Sequence, residues 1–596
     1  MKKPLLTVVA ALLVGAASAQ ITWYNPLDQE QCVIQNQAFE QEIGHTYVRL
    51  PERAREQVSQ AIWNLSRNSA GLAIHFYSDA PHIEVRYTVA QRLAMDHMPA
   101  TGVSGVDLYA IDSDGAMTHF AGQYSFRDTI TYTYDAIKRD RNHNMGYEYR
   151  LYLPLYNTVK WLEIGIPQGS SLKFVPRRKE KPIVAYGTSI AQGGCASRPA
   201  MAWTNILERK MDRPVINLGF SGNGHLDKPI IEMMGEIDAA AYILDCYPNL
   251  VGRDKDEVIR LTVDAVRSLH AQHPATPIII AGFSGYPNAP LSDNHAAMQQ
   301  KMDEAGRESL RQLEAEGIDN VRYLTPQQMN IPSDGTVDNV HLTDLGMQSI
   351  ADAYETLLRE MLHEPSGHTV TTHPVTQRGE PFMYEWRERH TQILTMNEAD
   401  APERLIIGNS IINYWGGEPL AKLQSGPESW NKYMEPRGFR NLGFGCDRIE
   451  HVLWRVYHGE LDGFEAREIV LAIGTNNLWR DDDAEIARGM VHLVKAIRDR
   501  QPNAELKVMA ILPRRDMEQR VASANKTIAE ALKPLGITII DAGSVLMGRD
   551  GKIDESCFRD GLHPNEKGYG KIVKFICKKT FPIRRSWLQR TYRQSL

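Results

Sequence analysis

The sequence predicts a multidomain protein in which an all-β sandwich is followed by two α/β domains. Three observations predict this fold class. Short alternating runs of apolar and polar residues fill the region 20–178. From residue 179 onward, short apolar runs alternate with amphipathic helical stretches. The same alternation begins again after residue 381. Alternation of buried strands with helices is typical of parallel sheets covered by helices.

The N-terminal region has the period-two pattern of antiparallel strands. Residues 72–77, 82–87 and 129–134 alternate apolar with polar side chains, and turn residues separate such runs. Many short strands punctuated by turns are typical of a sandwich. We therefore predict a jelly-roll-like β-sandwich over residues 20–178.

The two α/β regions are predicted from their apolar runs. We expect a first domain over 179–362 and a second over 381–596, joined by a linker at 363–380 that is rich in Pro, His, Thr and Gly. The predicted strands are 183–186, 215–218, 241–244 and 277–280 in the first domain, and 404–407, 469–473, 508–512 and 537–540 in the second.

The N-terminus and the composition bear on location and partners. Residues 1–19 have the basic start, short apolar stretch and Ala-Ser-Ala end of a signal peptide, so we expect export, to the periplasm if the host is Gram-negative. The formal net charge of −6 gives no sign of a basic surface that would bind nucleic acid. No later segment resembles a membrane span. Cys195 and Cys246 lie near predicted site residues, where a disulfide and two buried free thiols are equally compatible with the sequence.

A constellation of polar residues occurs twice in the same order, once in each α/β region. The first element is Gly-x-Ser after a strand, the second is Asn-Leu-Gly-Phe before a tight turn, the third is an Asn after a strand, and the fourth is Asp-x-x-His. His341 follows Ser189 by 152 positions, and His563 follows Ser410 by 153. Ordered recurrence at nearly equal intervals favours two related catalytic sites over isolated turn residues.

These residue types suit acyl transfer. A Ser hydroxyl becomes nucleophilic when a His removes its proton, and an Asp holds that imidazole in the right tautomer. An Asp three residues before the His delivers both groups from one loop. Backbone N–H groups at the helix start and in the tight turn, together with the Asn amide, can form an oxyanion hole. The chain contains neither G-x-S-x-G nor H-E-x-x-H, which disfavours an ordinary α/β-hydrolase and a zinc protease.

The two halves resemble the SGNH (GDSL-type) hydrolase superfamily. The first half, through residues 186–194, is similar to the branch that accompanies a G-x-D-L-Y β-domain, and residues 105–109 match that signature. The second half, through residues 441–445, 451–455 and 474–477, is similar to platelet-activating-factor acetylhydrolases. The tandem arrangement also resembles sialate O-acetylesterases of glycan-foraging bacteria.

The resemblance implies a role for each matching residue. It implies triads whose members are Ser189, Asp338 and His341 in the first site, and Ser410, Asp560 and His563 in the second. It implies oxyanion donors Gly222 and Asn249 in the first site, and Cys446 and Asn476 in the second. The second site departs from the family at Asn409, where Asp is usual, and at Cys446, where Gly is usual. If that turn requires a positive φ, the Cβ of Cys446 strains it.

We therefore expect an exported serine esterase that removes O-acetyl groups from carbohydrates, including O-acetylated sialic acids, through an acyl-enzyme. This chemistry requires no metal or organic cofactor, and the expected partner is an O-acetylated glycan, with no nucleic acid and no stable membrane insertion. Two alternatives remain from the sequence: a lysophospholipase or broad lipase, and a catalytically inactive glycan-binding protein. The sequence does not assign an oligomeric state or a division of labour between the sites.

Overall fold

The computed structural model describes residues 20–112, 115–140, 143–378 and 386–580. The predicted signal peptide at 1–19 lies outside the described residues, and so does the end of the predicted linker at 379–380. No helix in the described part of the chain is long and apolar enough to cross a membrane.

The N-terminal region is built from two antiparallel sheets, as the alternating runs predict. One sheet has the strand order β1-β10-β4-β8-β7 and the other the order β11-β3-β9-β5-β6, with β2 paired to β3. Alternate side chains of both sheets meet in one apolar core that includes Val85, Leu108, Leu151 and Ile164. The strands are β1 (Ile21–Tyr24), β2 (Ile34–Gln35), β3 (Ala73–Ser78), β4 (Ile83–Val89), β5 (Asp107–Ile111), β6 (Met117–Phe120), β7 (Gln123–Ser125), β8 (Ile130–Tyr134), β9 (Tyr147–Tyr152), β10 (Val159–Pro167) and β11 (Leu172–Phe174), and the helices are α1 (Glu40–Ile43), α2 (Gln60–Ser66) and α3 (Ala100–Val103).

The first α/β domain has a parallel five-stranded sheet in the order β13-β12-β14-β15-β16. This is a flavodoxin-like order, in which the crevice for ligands opens where the first and third strands of the domain meet. The strands are β12 (Ile183–Gly187), β13 (Val215–Gly219), β14 (Ala241–Asp245), β15 (Ile278–Ala281) and β16 (Val321–Leu324), and the helices are α4 (Ser189–Gln192), α5 (Trp203–Met211), α6 (Lys228–Gly235), α7 (Lys255–Gln272), α8 (Asp293–Ala315), α9 (Pro326–Met329) and α10 (Asp344–Met361).

The second α/β domain repeats this topology, with a parallel sheet in the order β18-β17-β19-β20-β21. The same connection pattern produces the same crevice between β17 and β19. The strands are β17 (Arg404–Gly408), β18 (Phe439–Gly443), β19 (Glu468–Ala472), β20 (Glu505–Met509) and β21 (Thr538–Ile540), and the helices are α11 (Trp386–Ala399), α12 (Ser410–Asn413), α13 (Pro427–Ser429), α14 (Ile449–Tyr457), α15 (Asp483–Arg500), α16 (Glu518–Leu532) and α17 (Glu566–Thr580).

The sequence prediction omitted β16 and β18, and two of the segments that it did assign differ from the structure. The strand expected at 508–512 is β20, which lies three residues earlier, because Ile511 and Leu512 are buried beyond the edge of the sheet rather than in it. The linker segment is packed and not a solvated coil. Thr371 bonds the Glu485 carboxylate, and Gln377 donates to the Gly445 carbonyl at 2.8 Å. Polar side chains of this segment are satisfied by the second domain, which a composition argument does not reveal.

A buried ionic cluster joins the three domains. Arg150 on β9 is fully buried and donates to Glu208 at 2.9 Å and to Asp212 at 2.5 Å, both at the α5 end of the first α/β domain. Trp454 of the second domain donates its indole N–H to the other oxygen of Asp212 at 2.9 Å. Asp212 therefore accepts hydrogen bonds from both neighbouring domains, which holds the sandwich and both sheets in one arrangement.

The G-x-D-L-Y segment has a structural role at the same junction. The Asp107 carboxylate accepts hydrogen bonds from Arg198 at 2.5 Å and from the Ala200 backbone N–H at 3.1 Å. Tyr109 lies under the Arg209 guanidinium, 4.4 Å from the ring centroid. This signature thus docks the sandwich onto the first α/β domain, near the turn that carries Ser189.

Cys195 and Cys246 are both free thiols. Cys195 and Cys246 do not form the disulfide that the sequence left open, because Cys195 Sγ contacts the His97 carbonyl and Cys246 Sγ contacts the Tyr186 carbonyl instead. Both thiols are buried, as the alternative interpretation required.

Candidate active site

The first nucleophile turn follows the central strand of the first sheet. β12 ends at Gly187, and Ser189 is the first residue of the short helix α4. Thr188 caps that helix by accepting a hydrogen bond from the Ile190 backbone N–H at 3.3 Å. Tyr156 from the sandwich donates its hydroxyl to the Ser189 carbonyl at 3.1 Å. The Ser189 side chain is thereby fixed at a helix N-terminus, where the backbone N–H groups favour negative charge.

The second nucleophile turn has the same construction. Ser410 begins α12 directly after β17, and Asn409 accepts a hydrogen bond from the Ile411 N–H at 2.9 Å. The residue before the nucleophile therefore acts as a helix cap, a task that the Asn side chain performs as well as Asp does. The departure at Asn409 leaves the geometry of the turn unchanged.

The first site brings together all three predicted triad residues. Ser189 Oγ lies 2.9 Å from His341 Nε2, and His341 Nδ1 lies 2.7 Å from Asp338 Oδ2. The other oxygen of Asp338 accepts the backbone N–H of His341 at 2.8 Å. Burial raises the pKa of Asp338, but the hydrogen bonds from His341 outweigh it and hold that pKa below its ordinary value. The carboxylate is therefore charged and orients the imidazole.

The second site has matching distances. Ser410 Oγ lies 2.9 Å from His563 Nε2, and His563 Nδ1 lies 2.8 Å from Asp560 Oδ2. Burial lowers the pKa of His563, the Asp560 carboxylate raises it, and the positive charges of Arg559 and Arg514 lower it, with a net shift below the ordinary value. The imidazole is therefore neutral, as a general base must be, to a lower pH than an unperturbed histidine.

The Asn of the second sequence element supports the nucleophile turn. Asn217 donates its amide to the Ala191 carbonyl at 2.7 Å, and Asn441 donates to the Ile412 carbonyl at the same distance. Both carbonyls lie two residues after the nucleophile. The Asn side chain therefore links the middle of the neighbouring strand to the turn that carries the Ser, which explains its recurrence in both halves.

The predicted oxyanion donors lie on loops beside each nucleophile. Gly222 has a φ of 69°, and Cys446 has a φ of 58° at the matching position. The Asn249 side-chain oxygen accepts the Gly224 N–H at 3.0 Å, so its amide is anchored to the loop that carries Gly222. Asn476 donates one amide hydrogen to the Asp447 carbonyl at 2.9 Å, next to Cys446. Each site thus has its Asn attached to the turn that carries the backbone donor.

The walls of the two sites differ, and the sequence did not indicate them. In the first site, His97 of the sandwich faces His341 with 5.4 Å between ring centroids, whereas in the second site Tyr414 faces His563 at 5.0 Å. His97, Cys195 and His341 place their donor atoms within 4.8 Å of one another, close enough to hold one metal ion. Because His341 also bonds Ser189, such an ion would compete with the base function, so this cluster belongs to the wall of the first site.

Arg198 and Trp203 follow Ser189 closely in the sequence, but their contacts lie elsewhere. Arg198 pairs with Asp107 at the domain junction, and Trp203 is buried against Tyr354 with 4.5 Å between ring centroids. Both positions therefore have packing roles.

Comparisons with known proteins agree with this architecture. Residues 180–359 and 406–571 each match the GDSL-like lipase/acylhydrolase family, and residues 21–172 match the GxDLY domain, described as the N-terminus of SGNH-hydrolase-type esterases. A crystal structure of a GDSL-like lipase from Bacteroides ovatus is 30% identical, with a TM-score of 0.52, and covers 58% of this chain and 98% of that one. The platelet-activating factor acetylhydrolase IB subunit alpha2 of Homo sapiens is 30% identical over 194 residues, which is 32% of this chain and 80% of that protein.

The chain belongs to the GDSL-like lipase/acylhydrolase family, with two GDSL domains behind a GxDLY domain. Its class is that of the ester hydrolases. The platelet-activating factor acetylhydrolase IB subunit alpha1 of Bos taurus is a further relative, 26% identical over 196 residues, which is 32% of this chain and 80% of that protein.

Proposed function

We propose that the protein is exported and removes O-acetyl groups from carbohydrates, including O-acetylated sialic acids, at two Ser-His-Asp sites. The observation that carries the proposal is the 2.9 Å contact between nucleophile and imidazole in both domains. Each imidazole also bonds a carboxylate through its other nitrogen. Export rests on the signal-peptide pattern of residues 1–19.

The reaction follows from this geometry. Ser189 Oγ attacks the ester carbonyl while its proton passes to His341 Nε2, and the negative oxygen faces the N–H groups of Ser189 and Gly222 and the Asn249 amide. The alcohol then leaves with the proton from His341, which leaves an acetyl-serine. Water attacks that ester with His341 as base, and acetate is released. Ser410, His563 and Asp560 perform the same steps in the second domain.

A polar alcohol suits both sites better than a long acyl chain. The residues that face the two imidazoles, His97 and Tyr414, both carry polar groups, and Arg559 lies over the Tyr414 ring at 5.6 Å. A lipase needs an apolar surface along which to bury its acyl chain, since burial of each CH₂ contributes about 0.8 kcal/mol.

The test compares p-nitrophenyl acetate with p-nitrophenyl decanoate in four proteins: the wild type, Ser189→Ala, Ser410→Ala and the double variant. We expect acetate turnover in the wild type and in each single variant, and loss of turnover in the double variant. Preference for decanoate would establish the lipase alternative. Absence of turnover in a folded wild type would establish the glycan-binding alternative. Acetate release from a panel of O-acetylated glycans then tests the sugar class.

A further inference from the structure

The second site carries positive charge that the first site lacks. Asn249 and Asn476 occupy equivalent positions, and three residues beyond them lie Gly252 in the first site and Trp479 in the second. The residue before the triad Asp is Val337 in the first site and Arg559 in the second. Strand register also aligns Gly282 with Ala510, because each donates its N–H to the neighbouring edge strand, at Leu324 and Ile540 respectively.

Four residues beyond those aligned positions lie Tyr286 and Arg514. The Tyr286 ring is occupied by a stack against His295, with 4.2 Å between ring centroids. Arg514 instead lies over one face of the Trp479 ring, 4.9 Å from its centroid, and Trp479 remains 69% exposed. An aromatic platform with an adjacent cation is therefore present at the second site, where the first has a glycine and a stacked tyrosine.

Arg514 is a half-buried cation without a carboxylate partner among the residues that the structure describes. Its hydrogen bonds go to the Thr475 carbonyl at 3.3 Å and to the Thr475 hydroxyl at 3.4 Å. Burial lowers the pKa of Arg514, and the only opposing influence is the Asp560 charge. By contrast, the adjacent Arg515 makes two hydrogen bonds to Glu555, at 2.7 and 2.8 Å. Partial desolvation of a guanidinium without a paired anion is unfavourable, and an incoming anion would offset it.

Arg514 also lies beside the second site, because it donates to the carbonyl of Thr475, the residue directly before Asn476. In agreement with this position, its charge lowers the pKa of His563, the residue bonded to Ser410. Trp479 is 69% exposed although it follows the oxyanion residue Asn476 by only three positions. An exposed aromatic ring beside a catalytic crevice is suited to stacking on a sugar ring, which has an apolar face.

We propose that the second site is specific for O-acetylated sugars that carry a carboxylate, with the carboxylate bound by Arg514 and the ring stacked on Trp479. The first site, which lacks both groups, takes neutral O-acetylated sugars. This inference rests on the proposed esterase function and assigns different substrates to the two domains.

The experiment uses the full chain with Ser189→Ala, so that only the second site acts. Its substrates are an O-acetylated methyl glucuronoside and the methyl glucoside acetylated at the same hydroxyl. We expect kcat/KM to be at least about tenfold higher for the acid, in line with a charge-assisted contact. Arg514→Gln should raise KM for the acid by about tenfold and so remove most of the preference for the acid over the neutral sugar, and Arg514→Lys should restore part of the loss. Trp479→Ala should raise KM for both sugars.

Arg515→Gln is the matched control, because it removes the same charge from the neighbouring residue that already has Glu555 as partner. Ser410→Ala reports the first site, which should show no preference for the acid. Equal kcat/KM for acid and neutral sugar, or equal losses in Arg514→Gln and Arg515→Gln, would overturn the inference. Turnover of p-nitrophenyl acetate separates the two levels. If Ser189→Ala cleaves p-nitrophenyl acetate but shows no preference for the acidic sugar, only the inference fails. If Ser189→Ala does not cleave p-nitrophenyl acetate, the esterase proposal fails at the second site as well.

Discussion

Cys446 adopts the same left-handed backbone conformation as Gly222, with φ values of 58° and 69° at equivalent turns. The turn therefore requires a positive φ in both sites, and the second domain achieves it with a residue that has a Cβ. Because the donor at this position is the backbone N–H and both residues have a left-handed φ, a side chain here is compatible with an oxyanion donor.

Replacement of Cys446 by Gly should stabilise the second domain by about 0.5–1 kcal/mol. Relief of a left-handed conformation contributes about 1–2 kcal/mol, and the greater entropy of Gly in the unfolded chain offsets about half of it. Esterase activity in a Ser189→Ala background should persist. Urea unfolding and acetate-ester turnover measure both effects.

Gly222→Ala is the matched control for this substitution. A Cβ at Gly222 would meet no atom within 4 Å, so Gly222→Ala introduces only the strain of the left-handed backbone. Its loss of stability should therefore match the gain expected for Cys446→Gly. A destabilised Cys446→Gly would contradict the prediction, since it would mean that the cysteine side chain contributes more than the strain costs.

The second site should keep its activity at a lower pH than a site whose base is an unperturbed histidine. Burial and the charges of Arg559 and Arg514 lower the pKa of His563 against the opposing effect of Asp560. A base acts when it is unprotonated, so kcat/KM in Ser189→Ala should fall only below the ordinary histidine value of about 6.5. Arg514→Gln should move the acid limb upward with the neutral sugar as substrate. An acid limb above 6.5 in the parent would refute the prediction.

Stability of the first α/β domain should decrease as pH rises toward 8. Asp245 at the end of β14 is fully buried, and burial raises its pKa from 3.8 to about 8. Between these values the folded state holds a proton that the unfolded state has released, so the free energy of unfolding falls with a slope of about 1.4 kcal/mol per pH unit at most. Asp245→Asn should remove this slope. Unfolding midpoints at pH 5 and pH 8 measure it, and an unchanged slope in the variant would exclude Asp245 as the cause.

Loss of Arg150 should destabilise the junction of the three domains. Removal of one partner from a buried ionic cluster costs about 3–5 kcal/mol, because Glu208 and Asp212 would each lose a buried positive counter-charge. We expect Arg150→Leu to lower the unfolding temperature. Arg55, an exposed arginine paired with Glu52, provides the comparison, and Arg55→Leu should cost less than about 1 kcal/mol. Comparable losses in both variants would contradict the role of burial.

The sequence by itself predicted the order of the three domains, four of the five strands in each parallel sheet, and the Ser, Asp and His residues that meet in each α/β domain. Strand periodicity located β12, β13 and β14 to within about one residue, because fully buried parallel strands are continuous apolar runs. The spacing between Ser and His was informative because parallel strands deliver the residues that follow them to one edge of the sheet.

Only the tertiary structure decided what surrounds those residues. His97 reaches His341 from another domain, and Arg514 meets Trp479 from a different strand end. Residues 363–378 pack through hydrogen bonds that their Pro, Thr and Gly content does not encode. Such contacts join positions far apart in the chain, and they depend on how the domains dock and on which side chains are buried together. A linear pattern carries the period of each element but not the choice of its neighbours.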